Sequence, residues 1–269
     1  MKDLLFAAVE AAAQAGAEVM KQYKKGFTTE IKSDESPVTT ADLAANRIII
    51  EKLAQTQIPV YSEEGPYLNA EVVKASEKYW ILDPIDGTKD FVNHTDEFVI
   101  CIGMIGENTA LAGVLLAPAM GLLYFGAQGI GSYKFIGDFD ELLQQFGYGS
   151  FENLCQDSAK LPLQKPTGTY KFLSSRYHQD PVTDEYWEGL KREKPSAEKV
   201  VCGSAIKLGL MAEGVAHEYT RFLSVNFWDI AAGHAVAKYA GIKVCQPMTE
   251  QEIEYTSETL RVDGYSLKL

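Results

Sequence analysis

Soft-metal ligands are scarce in this chain. Four cysteines, Cys101, Cys155, Cys202 and Cys245, stand far apart without paired spacing, which argues against zinc and for reduced, mostly buried thiols. The four histidines, His94, His178, His217 and His234, are equally scattered, and no GxSxG elbow occurs, so serine-hydrolase chemistry finds no support. No GxxxxGK motif is present, and the Gly-rich AQGIGSYKF lacks both the dinucleotide fingerprint and its flanking helix. Long apolar runs are also missing: ALAGVLLAPAM is broken by Gly and Pro, well short of the roughly 20 residues that span a bilayer. With no basic-then-apolar leader at the start, the expected compartment is the cytoplasm, peripheral association with the inner membrane being left open. The Asn93-His94-Thr95 sequon then has no secretory route to serve it. Positive charge is in deficit, 25 Lys and Arg against 37 Asp and Glu, a net charge of −12. That balance excludes a nucleic-acid polymer as partner, because such binding relies on Lys and Arg neutralising phosphates. A small anionic ligand would need local positive charge from a few basic residues or a bound metal.

What is present is ordinary globular material arranged in a regular alternation. At 46% hydrophobic and 23% charged, the 269 residues suit one large core or two smaller ones sharing an interface. Leu5, Val9, Ala12, Gly16, Val19 and Tyr23 recur at helical spacing, predicting a helix capped by Asp3 and ending near Gly26. Thr39 and Thr40 open a second helix over ADLAANRIIIEKLAQ, and IPVYSEEG reads as a short strand running into acids. FVICIGMIG, ALAGVLLAP, GLLYFGAQ and GSYKF predict an antiparallel meander. Beyond it, KFLSSR, KVVC and IKVC read as strands, with GSAIKLGLMAEG and WDIAAGHAVAKYAG as helices, the latter closing at Gly241. Polar residues 140–160 suggest a boundary, giving an α+β part over 1–150 and an α/β part over 151–269.

Four acid-bearing junctions need an account: Asp42 in VTTAD, Glu63 and Glu64 in VYSEEG, Asp83 and Asp86 in ILDPIDGT, and Asp229 in NFWDIAAG. Strand ends and helix starts are where α/β folds place ligand sites. Singly, each acid is explained by a turn or a helix cap. Converging, two carboxylates about 4 Å apart would repel by on the order of 4 kcal/mol at an effective dielectric near 20, so a cation must offset them. Oxygen ligands without His or Cys favour Mg²⁺, which usually serves phosphate chemistry. Pro84 stiffens the segment between Asp83 and Asp86 and Gly87 permits an unusual backbone angle, so the carbonyl of Ile85 can face the same ion. Thr88 after Gly87 adds backbone N–H groups for a phosphate and a hydroxyl for a water.

EEG, then WILDPIDGT, then WDIAAG resemble the signature segments of the inositol-monophosphatase-like superfamily of magnesium-dependent, lithium-sensitive phosphatases. The resemblance covers most of the chain and implies an αβαβα layered sandwich. It also implies two to three Mg²⁺ ions: one on Glu64, Asp83 and the Ile85 carbonyl, a second on Asp83, Asp86 and Asp229, and a weaker third near Glu64. It assigns the attacking water to Glu64 and Thr88, with Asp42 orienting Thr88, and homodimers are a common assembly. DGTKDF, with Lys89, is similar to the 3′(2′),5′-bisphosphate nucleotidase branch rather than to the inositol-specific DGTxNF. GSAIKLGLMAEGVAHEYTRF and SSRYH resemble further segments of that branch, implying substrate contacts at Asp86, Gly87, Thr88, Lys89, Ser204, Lys207, Arg221 and Asp229. On the residues alone, Lys207 and Arg176 read equally well as solvated surface groups. Ala205, Thr220 and LSVN depart from the branch pattern at positions that touch base and sugar recognition, which leaves the preferred nucleotide open. The implied activity is hydrolysis of the 3′-phosphate of adenosine 3′,5′-bisphosphate, and of 3′-phosphoadenylyl sulfate, in sulfur assimilation. An inositol monophosphatase, another sugar-phosphate phosphatase and a non-catalytic metal or nucleotide binder are the alternatives.

Overall fold

A computed structural model describes residues 1–33, 35–65, 75–137, 150–177, 180–256 and 259–269. Helix α1 (Lys2–Lys25) is rich in alanine and buries Leu5, Val9, Ala12 and Val19 along one stripe. Met1 rather than Asp3 is its N-cap; Asp3 lies within the first turn, where its charge still complements the helix dipole. A hairpin of β1 (Thr29–Ile31) and β2 (Pro37–Thr39) leads into α2 (Thr40–Leu53), which packs along α1.

The main sheet has the order β3 (Val60–Ser62), β4 (Lys78–Asp86), β5 (Val99–Gly106), β6 (Thr109–Ala117), β7 (Leu122–Ala127), β8 (Gly131–Ile136) and β9 (Ala159–Lys160). Only β3 and β4 pair in parallel; the rest form the expected meander. The short α3 (Thr88–Val92) follows β4, and α4 (Phe151–Gln156) precedes β9. Alternation along β4 sends Trp80 and Leu82 to the core under α1 and α2, and Tyr79 and Ile81 to a second core on the opposite face. Each fully buried Leu or Ile in these cores contributes roughly 1.5–3 kcal/mol.

The second core is roofed by a smaller sheet ordered β11 (Glu198–Cys202), β10 (Lys171–Ser175), β12 (Glu218–Arg221) and β15 (Tyr265–Lys268). Between the two sheets lie α6 (Ile206–Glu213) and α7 (Phe227–Tyr239), the latter entered through β13 (Val225–Asn226), which pairs with β14 (Arg261–Val262). Outside the small sheet, α5 (Pro181–Glu193) covers Phe172 with Trp187 and Leu190. The layers therefore run αβαβα. The second core draws Tyr79, Val99 and Leu115 from before residue 150 and Leu173, Leu208 and Ala232 from after it. The suggested boundary lies outside the described residues up to 149. IKVC makes no strand; Cys245 contributes only isolated bridges to Glu252 and Ser266. Three cysteines are buried, Cys155 is partly so, and all four are unpaired. No described helix is long and apolar enough to cross a membrane.

Candidate active site

Strand register brings the first two acids together. In the parallel pair, Val60, Tyr61 and Ser62 lie opposite Trp80, Ile81 and Leu82, so continuing one step sets Glu63 beside Asp83. Backbone bonding carries the pairing that far, since the Glu63 N–H donates to the Leu82 carbonyl at 3.1 Å. Both residues follow the alternation of Tyr61 and Ile81 onto the α7 face of the sheet. The DPID segment, which Pro84 was expected to stiffen, is the end of β4, with an irregularity in its pairing to β5 between Asp83 and Asp86. Pro84, which has no N–H to donate, sits in that irregularity as strand prolines do. The Ile85 N–H turns back to Asp83 Oδ1 at 2.9 Å.

Asp229 arrives from α7. Its Oδ2 accepts the Asn226 N–H at 3.1 Å in a capping box, which anchors the carboxylate at the helix start. The helix can lie this close to the sheet because small residues meet small residues. A Cβ placed on Gly113 in β6 would stand 2.0 Å from the Ala232 carbonyl oxygen. Tyr61 stacks on Trp228 at 5.9 Å between ring centres, which ties the end of β3 to the start of α7. Glu63, Asp83 and Asp229 each offer a carboxylate oxygen, all within 4.8 Å of one another.

This crowding raises the affinity of the acids for protons. Burial and then the charges of Glu63, Asp86 and Asp229 push Asp83 well above the usual carboxylate range. Burial pushes Asp229 up to about 8, with Asp86 and Glu63 adding to it. Asp86 rises less, to about 6, because Lys207 and the Ala205 N–H oppose the effect of burial. A divalent cation would replace those protons, and the all-oxygen, partly desolvated donor set fits a hard ion of the Mg²⁺ class.

Other expected residues stand as follows. Among the described residues it is Glu63 that meets Asp83 and Asp229; Glu64 lies just beyond it, with Lys32 Nζ bridging the two side chains at 3.1 Å from Glu63 Oε1 and 2.5 Å from Glu64 Oε1. Asp42 does not reach Thr88. Its Oδ2 accepts the Thr39 N–H at 2.8 Å and the Thr39 hydroxyl at 2.5 Å, closing the α2 capping box, and burial pushes its pKa up to about 7. The Thr88 hydroxyl donates to the Ile85 carbonyl at 3.1 Å. Gly87, at φ 88°, adopts the left-handed conformation that caps α3. Asp86 Oδ2 accepts the Ala205 N–H. Lys89, Ser204 and Arg221 line the same cleft as the cluster, and the buried Arg221 Nε has no hydrogen-bond partner among the described residues. Lys207 is buried beneath backbone carbonyls, so it is no surface residue. Arg176 is held by Glu97 at 2.6 Å and Asp90 at 3.2 Å. His178 of the SSRYH stretch lies outside the described residues.

The sequence reading passed over Glu97, whose Oε2 accepts the Gly203 N–H at 2.5 Å, and the hydroxyls of Tyr219 and Tyr265, 3.2 Å apart in the cleft. For Glu63 a signal was present: the period-2 alternation that makes Val60 and Ser62 buried and inward assigns Glu63 to the face of Tyr61. Glu97, between two turns and an apolar strand, carries no comparable pattern.

The inositol monophosphatase family model matches residues 1–266. The chain is 36% identical over 237 residues to the 3′(2′),5′-bisphosphate nucleotidase CysQ of Shigella flexneri, covering 87% of this chain and 86% of that protein. It is 34% identical over 249 residues to the same-named protein of Buchnera aphidicola, covering 91% and 84%. A crystal structure of CysQ from Bacteroides thetaiotaomicron superposes with a TM-score of 0.89 at 33% identity, covering 100% of this chain and 97% of that one. An inositol monophosphatase of Thermotoga maritima shares the fold with a TM-score of 0.74 at 20% identity.

Proposed function

This chain belongs to the inositol monophosphatase family, and from that premise we propose that it hydrolyses the 3′-phosphate of adenosine 3′,5′-bisphosphate, and of 3′-phosphoadenylyl sulfate, at the Glu63–Asp83–Asp229 cluster. The observation that carries the reading is one cleft lined by two kinds of anion-seeking group. One is the acid cluster, which attracts phosphate only through cations; the other is Arg221, within electrostatic reach of Asp86 and Asp229, whose buried Nε has no hydrogen-bond partner among the described residues. A substrate with one phosphate is served by the cations alone, whereas a bisphosphate has a second charge for the guanidinium. The CysQ relatives, named as bisphosphate nucleotidases and similar over nearly the whole chain, support the same choice.

In this reading Glu63, Asp83, Asp86, Asp229 and the Ile85 carbonyl hold two to three Mg²⁺ ions. Bound there, the ions supply acidification of a water and neutralisation of phosphoryl charge. The chain itself does the positioning. Thr88 and Glu63 hold the attacking water in line with the ester; the backbone at Gly87 and Thr88, with Lys89, receives the phosphoryl oxygens. Arg221 and Ser204 orient the remainder of the nucleotide. No side chain becomes phosphorylated. Asp42 fixes the start of α2 rather than the Thr88 hydroxyl.

Phosphate release with Mg²⁺ from adenosine 3′,5′-bisphosphate, inositol 1-phosphate and fructose 1,6-bisphosphate tests the reading. The nucleotide turns over fastest and lithium inhibits; faster release from inositol 1-phosphate overturns the substrate choice.

A further inference from the structure

Lys207 is 3% exposed, and its ammonium lies among the carbonyl oxygens of Cys202, Gly203 and Ser204 at 3.1, 2.9 and 2.5 Å. An ammonium has three N–H donors, so none is left over for a ligand. The Tyr219 ring lies 5.6 Å from the ammonium, and the side chain forms part of the cleft wall. Three carbonyls converge on one point only if the chain curls tightly, and Ser204 does so at φ 43°, a conformation L side chains rarely adopt. Without a cation at the centre those carbonyl dipoles would repel and the turn would open.

The outer side of the same turn carries two N–H groups with defined destinations. The Gly203 N–H donates to Glu97 Oε2, which is also bound by Arg176, and the Ala205 N–H donates to Asp86 Oδ2. Glu97 and Asp86 belong to the large sheet and its loops, whereas the turn belongs to the layer above.

We propose that Lys207 is a positioning residue: through the Gly203–Ala205 turn it delivers a backbone N–H onto Asp86 and so sets the orientation of that carboxylate beside the acid cluster. This rests on the hydrolase reading for its consequence in turnover, and on geometry alone for its consequence in cation binding. A direct phosphate contact by Lys207 would require breaking one of three buried hydrogen bonds, whereas the positioning role uses all three as they stand.

The test is Lys207→Met, which keeps length and removes charge. Free Mn²⁺ is followed by electron paramagnetic resonance in a titration of the substrate-free protein, beside kcat and KM for adenosine 3′,5′-bisphosphate. Loss of an outer partner of a ligand predicts a roughly tenfold weaker Mn²⁺ dissociation constant and a similar fall in kcat, with KM within about threefold. Unchanged Mn²⁺ binding with KM raised tenfold or more overturns the proposal in favour of direct contact. If Lys207→Met does not fold, Glu97→Gln, which loosens the turn from its other side, carries the test: Mn²⁺ binding weakened about threefold supports it, and unchanged binding overturns it. The titration needs no turnover, so a parent protein inactive on the nucleotide sinks the hydrolase reading while the Mn²⁺ result still decides the role of Lys207.

Discussion

Glu218 and Asp83 are both buried carboxylates, at 1% and 3% exposure, yet they face opposite surroundings. Glu218, in β12, accepts hydroxyl hydrogen bonds from Tyr170, Tyr186 and Thr220 at 2.7, 2.6 and 2.8 Å, and Lys268 stands 3.2 Å away. Asp83 accepts the Ile85 N–H and otherwise faces Glu63, Asp86 and Asp229. A buried acid is therefore no sign of chemistry in itself. The sign is a surplus of acceptors over donors, which only protons or cations can relieve.

The largest expected break in that comparison comes from Asp83→Asn. Losing a ligand worth about 4 kcal/mol of transition-state stabilisation lowers phosphate release roughly a thousandfold, while the cation-free protein, no longer obliged to keep a buried acid protonated, melts no lower than the parent. Glu63→Gln and Glu64→Gln sharpen the point between neighbours in sequence. Turnover falls by roughly a hundredfold or more in the first and stays within about threefold in the second; equal losses would return Glu64 to the cluster. Glu218→Gln reverses the pattern: leaving hydroxyls poorly matched costs about 1–3 kcal/mol in urea unfolding, with kcat per folded molecule unchanged.

The smallest effect is on pH dependence. Asp86 and Asp229 sit near 6 and 8 in the folded protein against 3.8 when unfolded. The native state thus binds more protons between about pH 4 and pH 8, and in EDTA its stability falls as pH rises through that window. A drop of roughly 10 °C in melting temperature between pH 5 and pH 8 is expected, and saturating Mg²⁺ should abolish it. A melting temperature that rises with pH in EDTA would show the acids to be well partnered, as Glu218 is.

Much of this was legible in the residues. The spacing of Leu5, Val9 and Ala12, the Thr39 cap, the meander and the small-residue helix around WDIAAG all depend on local periodicity and turn chemistry, whereas the layered architecture came from the family resemblance. Asp83 and Asp229 were legible too, as acids at the ends of apolar runs. The place of Glu63 was harder, since β3 ends at Ser62 and the approach to Asp83 lies in the parallel register with β4. Lys207 reads in sequence as an ordinary helical lysine, because nothing local reveals that three carbonyls curl back over it.

By itself, then, the order of residues determined which helices and strands form and which acids terminate them, since hydrophobic periodicity, capping and glycine or proline geometry act over a few residues. Tertiary structure alone decided which carboxylates meet, which lysine is enclosed and, among the described residues, which arginine nitrogens are buried without a hydrogen-bond partner. Those outcomes depend on strand register and on how closely α7 lies against the sheet, distances set by packing between segments far apart in the chain.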